Sequence, residues 1–166
     1  MSTLSSYPGG FNPGALIRNV PVVPAHGAKV FYVGNNTTLM VGEKSASNGN
    51  KGGFYDPFST IEGAQTVAVA DRGDFIYVRP GYTLTLDGTT TLTLSKDALT
   101  VIGLGQGAAR PTITVGSSAT AAVTLSGNDI RFENFLIVSS LDGLNTAVLI
   151  SGSGCQVDIE HRDTSS

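Results

Sequence analysis

Residues 74–125 read DFIYVRPGYTLTLDGTTTLTLSKDALTVIGLGQGAARPTITVGSSATAAVTL, and this stretch decides the fold. Short runs rich in Thr, Val, Ile and Leu alternate with segments of Gly, Asp and Ser. Runs of this kind, bounded by turn-forming residues, predict β-strands. The runs come in groups of three, and the second group resembles the first.

The same triplet recurs further along the chain. The predicted strands are residues 75–78, 83–86 and 91–94; then 99–102, 112–115 and 121–125; then 130–132, 135–138 and 147–150; and a fourth group begins with 155–159. Equivalent positions, which we take as Ile76, Val101, Arg131 and Val157, recur about every 25–30 residues, as in solenoid repeats. A β-sandwich also gives short, regular strands, but here the similarity runs from triplet to triplet.

This repetition predicts an all-β coil in which each turn contributes one strand to each of three parallel sheets. Alternate residues of a strand point to opposite sides. The residues predicted to point inward are Leu84, Leu86, Leu92, Leu94, Ile113, Val115, Val123 and Leu125. Those predicted to point outward are Thr83, Thr85, Thr91, Thr93, Thr112, Thr114 and Thr124. No single turn can bury its own apolar row, so neighbouring turns must stack.

Composition and charge exclude several classes of protein. The 166 residues suffice for one domain with an arm, and 14% of them are charged. A net charge of -3 gives no reason to expect nucleic acid as a partner. One cysteine, Cys155, excludes an internal disulfide framework. The first residues do not resemble a secretory signal, and no apolar run approaches the roughly 20 residues that span a bilayer, so we expect no membrane partner.

Residues 1–28 differ from the rest. Pro8, Pro13, Pro21 and Pro24 interrupt any regular period, yet the segment is too apolar for an idle disordered tail. We predict an extended arm that becomes ordered either on another subunit or on its own domain. The residues predicted to contact a partner are Phe11, Leu16, Ile17, Arg18, Val20, Val22 and Val23.

Residues 29–73 form a predicted cap region. It contains a strand at 29–33, a polar loop at 34–53 and a helix. Glu43 is the loop's one carboxylate, too few for a calcium site. The helix begins with a Ser59–Glu62 capping box or at Asp56–Pro57. Its predicted apolar face comprises Phe58, Ile61, Ala64, Val67 and Ala68. We expect the helix to cover the open strand edges of the first turn.

Four segments carry a resemblance to a known family. VFYV, YDPFSTIEGAQ, GDFIYVRPGYT and LTVIGLG followed by RPTI resemble the opening of pectate-lyase-like right-handed parallel β-helix proteins, over residues 29–113. The resemblance implies a short right-handed parallel β-helix of about three to four turns in residues 74–160, with a polar tail at 161–166. That superfamily includes pectinolytic enzymes and phage tailspike and capsid-surface proteins. It says little about activity, because one fold serves many functions.

Paired carboxylates are the candidates for sugar cleavage, which needs two acids across a glycosidic bond. Asp129 with Glu133, and Asp87 with Asp97, are possible pairs. Asp87 and Asp97 lie in turns, where an Asp usually bonds backbone. Glu133 either pairs with Arg131 or lines an exposed face. The acidic cluster that calcium-dependent lyases of the family use is missing from the predicted strands.

Two arginines precede prolines at the same corner of successive turns. Arg79 and Arg110 either contact a carboxylate of a neighbouring subunit or are solvated turn residues. Neither His26 nor His161 has a nearby Ser or Cys that would suggest a triad. Cys155 is predicted to be a small buried residue. The glycines of residues 103–107 precede a strand, so they lack the context of a phosphate loop.

These features predict a non-enzymatic structural protein without metal or cofactor. The resemblance, the short coil and the arm favour a phage capsid cement or decoration protein on the virion surface. It would be a homotrimer that binds the major capsid protein through the arm. The alternatives are a tailspike or receptor-binding module for carbohydrate, and a fragment of a pectinolytic enzyme.

Overall fold

A computed structural model describes residues 16–17, 20–21, 27–35, 39, 41–87, 91–116, 123–139 and 146–163. Its strands are β1 (Leu16–Ile17), β2 (Val20–Pro21), β3 (Val30–Val33), β4 (Phe75–Val78), β5 (Thr83–Leu86), β6 (Leu92–Leu94), β7 (Thr100–Gly103), β8 (Thr112–Val115), β9 (Val123–Leu125), β10 (Arg131–Ser139), β11 (Val148–Ile150) and β12 (Gln156–Asp163). Helix α1 spans Ile61–Val67, and Gly107–Ala109 form one 3-10 turn. The described chain is therefore mostly β.

Corresponding strands of successive triplets pair in parallel. The first ladder runs β3, β4, β7 and then the first half of β10 and β12. The second runs β5, β8 and the second half of β10 and β12. The third runs β6, β9, β11. The predicted triplets are thus confirmed as units whose members pair with the same members of the next unit.

Strand boundaries agree with the sequence to within a few residues, with one exception. Segments 75–78, 83–86 and 112–115 match their observed strands. The predicted runs 130–132 and 135–138 are one strand, β10, which pairs with β7 before Asn134 and with β8 after it. Asn134 has a φ of 62°, and the register with β12 shifts there. One bent strand therefore belongs to two ladders.

The registers stack equivalent side chains into columns. Phe31, Ile76, Val101, Phe132 and Val157 form one such column. The prediction that Arg131 belongs to this column is wrong by one position, because Phe132 takes that place. Arg131 aligns with Thr100 and Gln156 and is exposed. The error arises because the second triplet is longer inside: residues 104–111 separate β7 from β8, whereas only residues 79–82 separate β4 from β5, so spacing alone does not fix the phase.

The predicted alternation of inner and outer residues is confirmed. Leu86, Leu92, Leu94, Ile113, Val115, Val123 and Leu125 are buried, and Leu84 packs against them half-buried. The predicted outer threonines are exposed or half-buried. Each buried aliphatic side chain contributes about 1.5–3 kcal/mol before conformational entropy is subtracted. The apolar centre therefore comes from stacking successive turns.

Helix α1 begins later than either predicted start. Thr60 is its N-cap, and the Thr60 hydroxyl accepts a hydrogen bond from Gly63 N at 3.0 Å. The expected Ser59–Glu62 capping box is therefore wrong. The side-chain carbonyl of Asn48 accepts from the amides of Ser59 (3.2 Å) and Thr60 (3.1 Å). A residue distant in sequence thus satisfies the donors that a local capping box would have served.

The helix packs on β3, β4 and β6, as expected of a cap. Phe58, Ile61, Ala64 and Ala68 are buried, whereas Val67 is 45% exposed, so its predicted inward position is wrong. Gln65 bonds the open edge of β6: its Nε2 donates to Thr93 O (3.0 Å) and its Oε1 accepts from Ser95 N (2.8 Å). This amide satisfies strand groups that would otherwise invite pairing with another chain.

The arm contains strand pairing that its prolines did not predict. Leu16 pairs with Pro21 and Ile17 with Val20, antiparallel, so the chain reverses direction here. Phe11, Arg18, Val22 and Val23 lie outside the described residues, as do the side chains of Leu16, Ile17 and Val20. The arm's role in partner binding stays a prediction.

Candidate functional site

The loop at residues 41–58 is fastened over β3 and β4 by Arg79. The Arg79 guanidinium binds the carboxylate of Glu43 and the carbonyl of Phe54, and it lies 5.1 Å from the centre of the Phe54 ring. The side chains are 13% exposed at Arg79 and 1% at Glu43. Glu43, the carboxylate considered for calcium, is therefore held in a buried ion pair.

Beside this ion pair lies a surface that we name the aromatic ledge: Tyr32, Phe54, Tyr55 and Tyr77. Phe54 meets Tyr32 edge-on at 5.3 Å and Tyr55 edge-on at 5.1 Å, and Tyr32 lies 5.8 Å from Tyr77. Phe54 and Tyr55 are 44% and 56% exposed. Sequence reasoning missed the ledge, because Phe54 and Tyr55 lie in the loop and meet the strand tyrosines only through the fold.

The backbone under the ledge is fixed by hydrogen bonds. Lys44 N donates to Tyr55 O at 2.8 Å, and Tyr32 N donates to Gly52 O at 2.8 Å. Burial, with the nearby Tyr32, raises the pKa of Tyr77. Two exposed rings on a fixed backbone form a preorganised surface, which lowers the entropic cost of binding a flat ligand.

Arg110, the second corner arginine, also has partners within the chain. It binds the carboxylate of Glu160, and its Nε donates to Gly107 O at 3.1 Å. Hydrogen bonds from Arg110 first, and from Arg162 second, lower the pKa of Glu160. The proposed intersubunit role of Arg79 and Arg110 stays a prediction, since both guanidiniums already bind carboxylates of their own chain.

The candidate catalytic carboxylates occupy structural positions. Asp97 Oδ1 accepts a hydrogen bond from Asn128 N at 2.7 Å. As predicted for an Asp in a turn, its side chain bonds a backbone amide, but this amide belongs to the next triplet and not to its own turn. Glu133 Oε1 accepts from Arg131 Nε (3.1 Å) and Nη2 (2.5 Å), which confirms the predicted pairing. Asp129 sits at a φ of 53°, and Asp87 is exposed at the end of β5.

A corner built on Asp97 repeats from turn to turn. Asn128 Oδ1 accepts from Ser153 N (3.1 Å) and Ser153 Oγ (3.0 Å), just as Asp97 accepts from Asn128. The residues in the left-handed region at this corner are Asp71, Ala98, Asp129 and Gly154. The polar side chains here link successive turns, which is a structural role.

Asp74 is the most connected acid. It is 1% exposed, and it accepts from Arg72 Nε (2.7 Å), Arg72 Nη2 (2.5 Å), Lys29 N (2.8 Å) and Val69 N (3.0 Å). Burial alone would raise the pKa of Asp74, but these bonds and the Arg72 charge together lower it. Asp74 joins the starts of β3 and β4 to the segment after α1.

The pKa values of Glu62 and Tyr82 are both raised beside the helix. Burial raises the pKa of Glu62, and its own backbone amide partly offsets this. Burial first, and the Glu62 charge second, raise the pKa of Tyr82 to about 12. With a pKa of about 12, Tyr82 is not poised to exchange a proton near neutral pH.

The remaining candidates stay dispersed. Cys155 is half-buried, with Sγ 3.3 Å from Gly127 O, and His161 is exposed on β12. Gly103 ends β7, and no α-helix follows it before β8. His26 lies outside the described residues. Within the described part of the chain, no three His, Cys, Asp or Glu side chains group as metal ligands, and no helix is long and apolar enough to cross a membrane.

The fold and these surfaces define an all-β protein of parallel ladders, capped by one short helix among the described residues. Comparison with protein-family models, with curated proteins and with solved structures finds no match.

Proposed function

We propose that the chain is a non-enzymatic structural protein of a phage virion, most simply a capsid decoration protein that binds the shell through residues 1–28. Its fold is a right-handed parallel β-helix of three to four turns. Three parallel ladders, each pairing corresponding strands of successive triplets, support the coil. The resemblance described above supports the phage setting and a homotrimeric state.

The observation that carries the proposal is how the chain uses its acids. Glu43 binds Arg79, Asp74 binds Arg72, Glu133 binds Arg131 and Glu160 binds Arg110. A sugar-cleaving site needs two carboxylates facing the scissile bond. Here the charge of each of these acids is matched by an arginine of the same chain, and the pairs of Arg79 with Glu43 and of Arg110 with Glu160 join segments that are distant in sequence. Such a chain is suited to assembly.

Removing the arm tests the attachment to the shell. A variant lacking residues 1–24 should remain folded by circular dichroism and should no longer sediment with capsids stripped of the native protein. In the full chain, Ile17→Ser with Val20→Ser and Val22→Ser should weaken binding at least tenfold, because apolar anchors supply the contact. Val67→Ser, which removes an exposed apolar side chain from α1, is the matched control. Full occupancy by the truncated protein would exclude the arm as the attachment.

A second candidate function, carbohydrate binding, is favoured by the aromatic ledge. Phe54 and Tyr55 expose their rings on a backbone that hydrogen bonds hold in place. Rigid, amphipathic rings provide contact area at low entropic cost. A sugar ring could lie on Tyr55 and bond its hydroxyls to neighbouring polar groups.

Tyr55→Ala is the variant that tests the ledge. It should abolish binding of any glycan that the native protein retains on an array, whereas Val69→Ala, at another exposed apolar side chain, should not. An array on which the native protein binds nothing would eliminate this candidate.

A further inference from the structure

The last described turn presents an unpaired strand edge. Among the described residues, β12 pairs with β10 alone and β11 pairs with β9 alone. Gln156 N donates to Ile130 O at 2.8 Å, so this amide points towards β10. Because N–H groups alternate sides along a strand, the amides of Val157, Ile159 and His161 point towards the open edge.

Among the described residues, two apolar side chains of β11 are also half-exposed at this end. Leu94, Leu125 and Ile150 form one inner column, in which the first two are fully buried and Ile150 is 48% exposed. Leu149, on the outer side of β11, is 46% exposed. An open edge bordered by exposed apolar side chains is a surface on which another strand can pair.

The second half of β12 is suited to two-fold pairing. Within β12, Gln156–Asp158 pair with the half of β10 that precedes its bend, and 159–163 pair with the half that follows. A two-fold axis that crosses this second half at right angles, through Glu160, reverses it, so that it lies antiparallel to its own copy. Interfaces of this self-complementary kind are the commonest in homo-oligomers.

The charges along β12 match the same symmetry. Its outer row is Gln156, Asp158, Glu160 and Arg162, acidic towards one end and basic at the other. A register centred on Glu160 places Asp158 opposite Arg162 of the second copy, twice. The Glu160 carboxylates that meet at the centre are each neutralised by Arg110 and Arg162 of their own chain.

We propose that two copies of this chain pair end to end, with β12 antiparallel to β12. The inner row of β12 is apolar at Val157 and Ile159 and polar at His161. The apolar part of the contact therefore comes mainly from Leu149 and Ile150 of both copies. This interface rests on the proposed coil but is separate from the arm and from the lateral contacts of a trimer.

Sedimentation of the full chain at micromolar concentration tests the proposal. A mass of two copies, or of six if the coil also forms trimers, supports it; a mass of one or three copies overturns it. Arg162→Glu should raise the dissociation constant at least tenfold, because the introduced carboxylate of each copy then faces the carboxylate of Asp158 on the other. The double variant Asp158→Arg with Arg162→Asp restores opposite charges and should recover most of the affinity.

Arg131→Glu is the matched control, since Arg131 forms the same kind of ion pair with Glu133 on β10, one turn inside the edge. It should leave the mass unchanged, and circular dichroism should show all variants folded. Hydrogen exchange gives an independent readout: the amides of Val157 and Ile159 should exchange more slowly as protein concentration rises. Exchange that is independent of concentration would contradict strand pairing at this edge.

Discussion

Asp74 shows how much one side chain can determine in this protein. Its carboxylate receives two bonds from Arg72 and one each from the amides of Lys29 and Val69. Lys29 is distant from Asp74 in sequence, and Val69 and Arg72 lie in the segment between α1 and β4. No local sequence pattern therefore distinguishes Asp74 from the surface acids. Charge-assisted bonds of this kind are about twice as strong as neutral ones.

Asp74→Asn is expected to destabilise the fold by about 3 kcal/mol, the range for removing one partner of a buried ion pair. The amide cannot accept the same bonds, and Arg72 loses its counter-charge. Urea unfolding at pH 7 measures the loss. Asp71→Asn is the control: Asp71 is exposed, and Asn also tolerates its left-handed backbone, so the change should stay within about 0.5 kcal/mol.

The same substitution predicts a pH dependence. The folded pKa of Asp74 is lowered, so its contribution is present above the unfolded value of about 3.9 and is lost as pH falls through the folded value. The stability gap between native protein and Asp74→Asn should therefore shrink below about pH 4. Unfolding curves at pH 7, 5, 4 and 3 check this, and a gap constant across that range would contradict the assignment.

At the scale of elements, the sequence predicts what alternation and repetition can carry. The strands of the second and third ladders follow from alternating Thr and aliphatic residues, as in β5 and β8. The start of α1 could not be predicted, because Asn48, outside the helix, binds the amides of Ser59 and Thr60. The aromatic ledge could not be predicted either, because its loop and strand residues meet only in the folded chain. Contacts across the fold leave no periodic signal along the chain.

The bend of β10 is the element-scale feature best suited to mutation. Asn134 adopts a φ of 62°, and its Nδ2 donates to Gly103 O (2.7 Å) and Gly105 O (3.1 Å). Asn134→Gly keeps the backbone unstrained but removes both hydrogen bonds, which should lower the free energy of unfolding by about 1–2 kcal/mol. Asn134→Ala removes the bonds and adds left-handed strain of about 1–2 kcal/mol. Chemical denaturation of both variants should therefore rank Ala below Gly. Equal stabilities of the two variants would contradict this prediction, because they would mean that the backbone at residue 134 leaves the left-handed region without cost.

For the whole molecule, the parallel ladders imply that stability varies from the first strand of each ladder to the last. Each inner column is buried in the middle turns and half-buried at the last: Phe132 is 0% exposed, whereas Val157 below it is only partly covered. In repeat architectures each unit is stabilised by its neighbours, so a terminal unit has the weakest support. Local opening should therefore begin at β11 and β12.

Two truncations in one column test this gradient. Phe132→Ala should cost about 3–5 kcal/mol, because it removes a fully buried ring that stacks on Phe135 at 4.1 Å. Val157→Ala should cost about 1 kcal/mol, since its side chain is already half in water and leaves no closed cavity. Urea unfolding gives both values, and measurements below the dissociation constant of any end-to-end pairing report the stability of the single chain. If the two substitutions cost the same there, the last turn would be as well supported as the centre, and an open end would be inconsistent with the energetics.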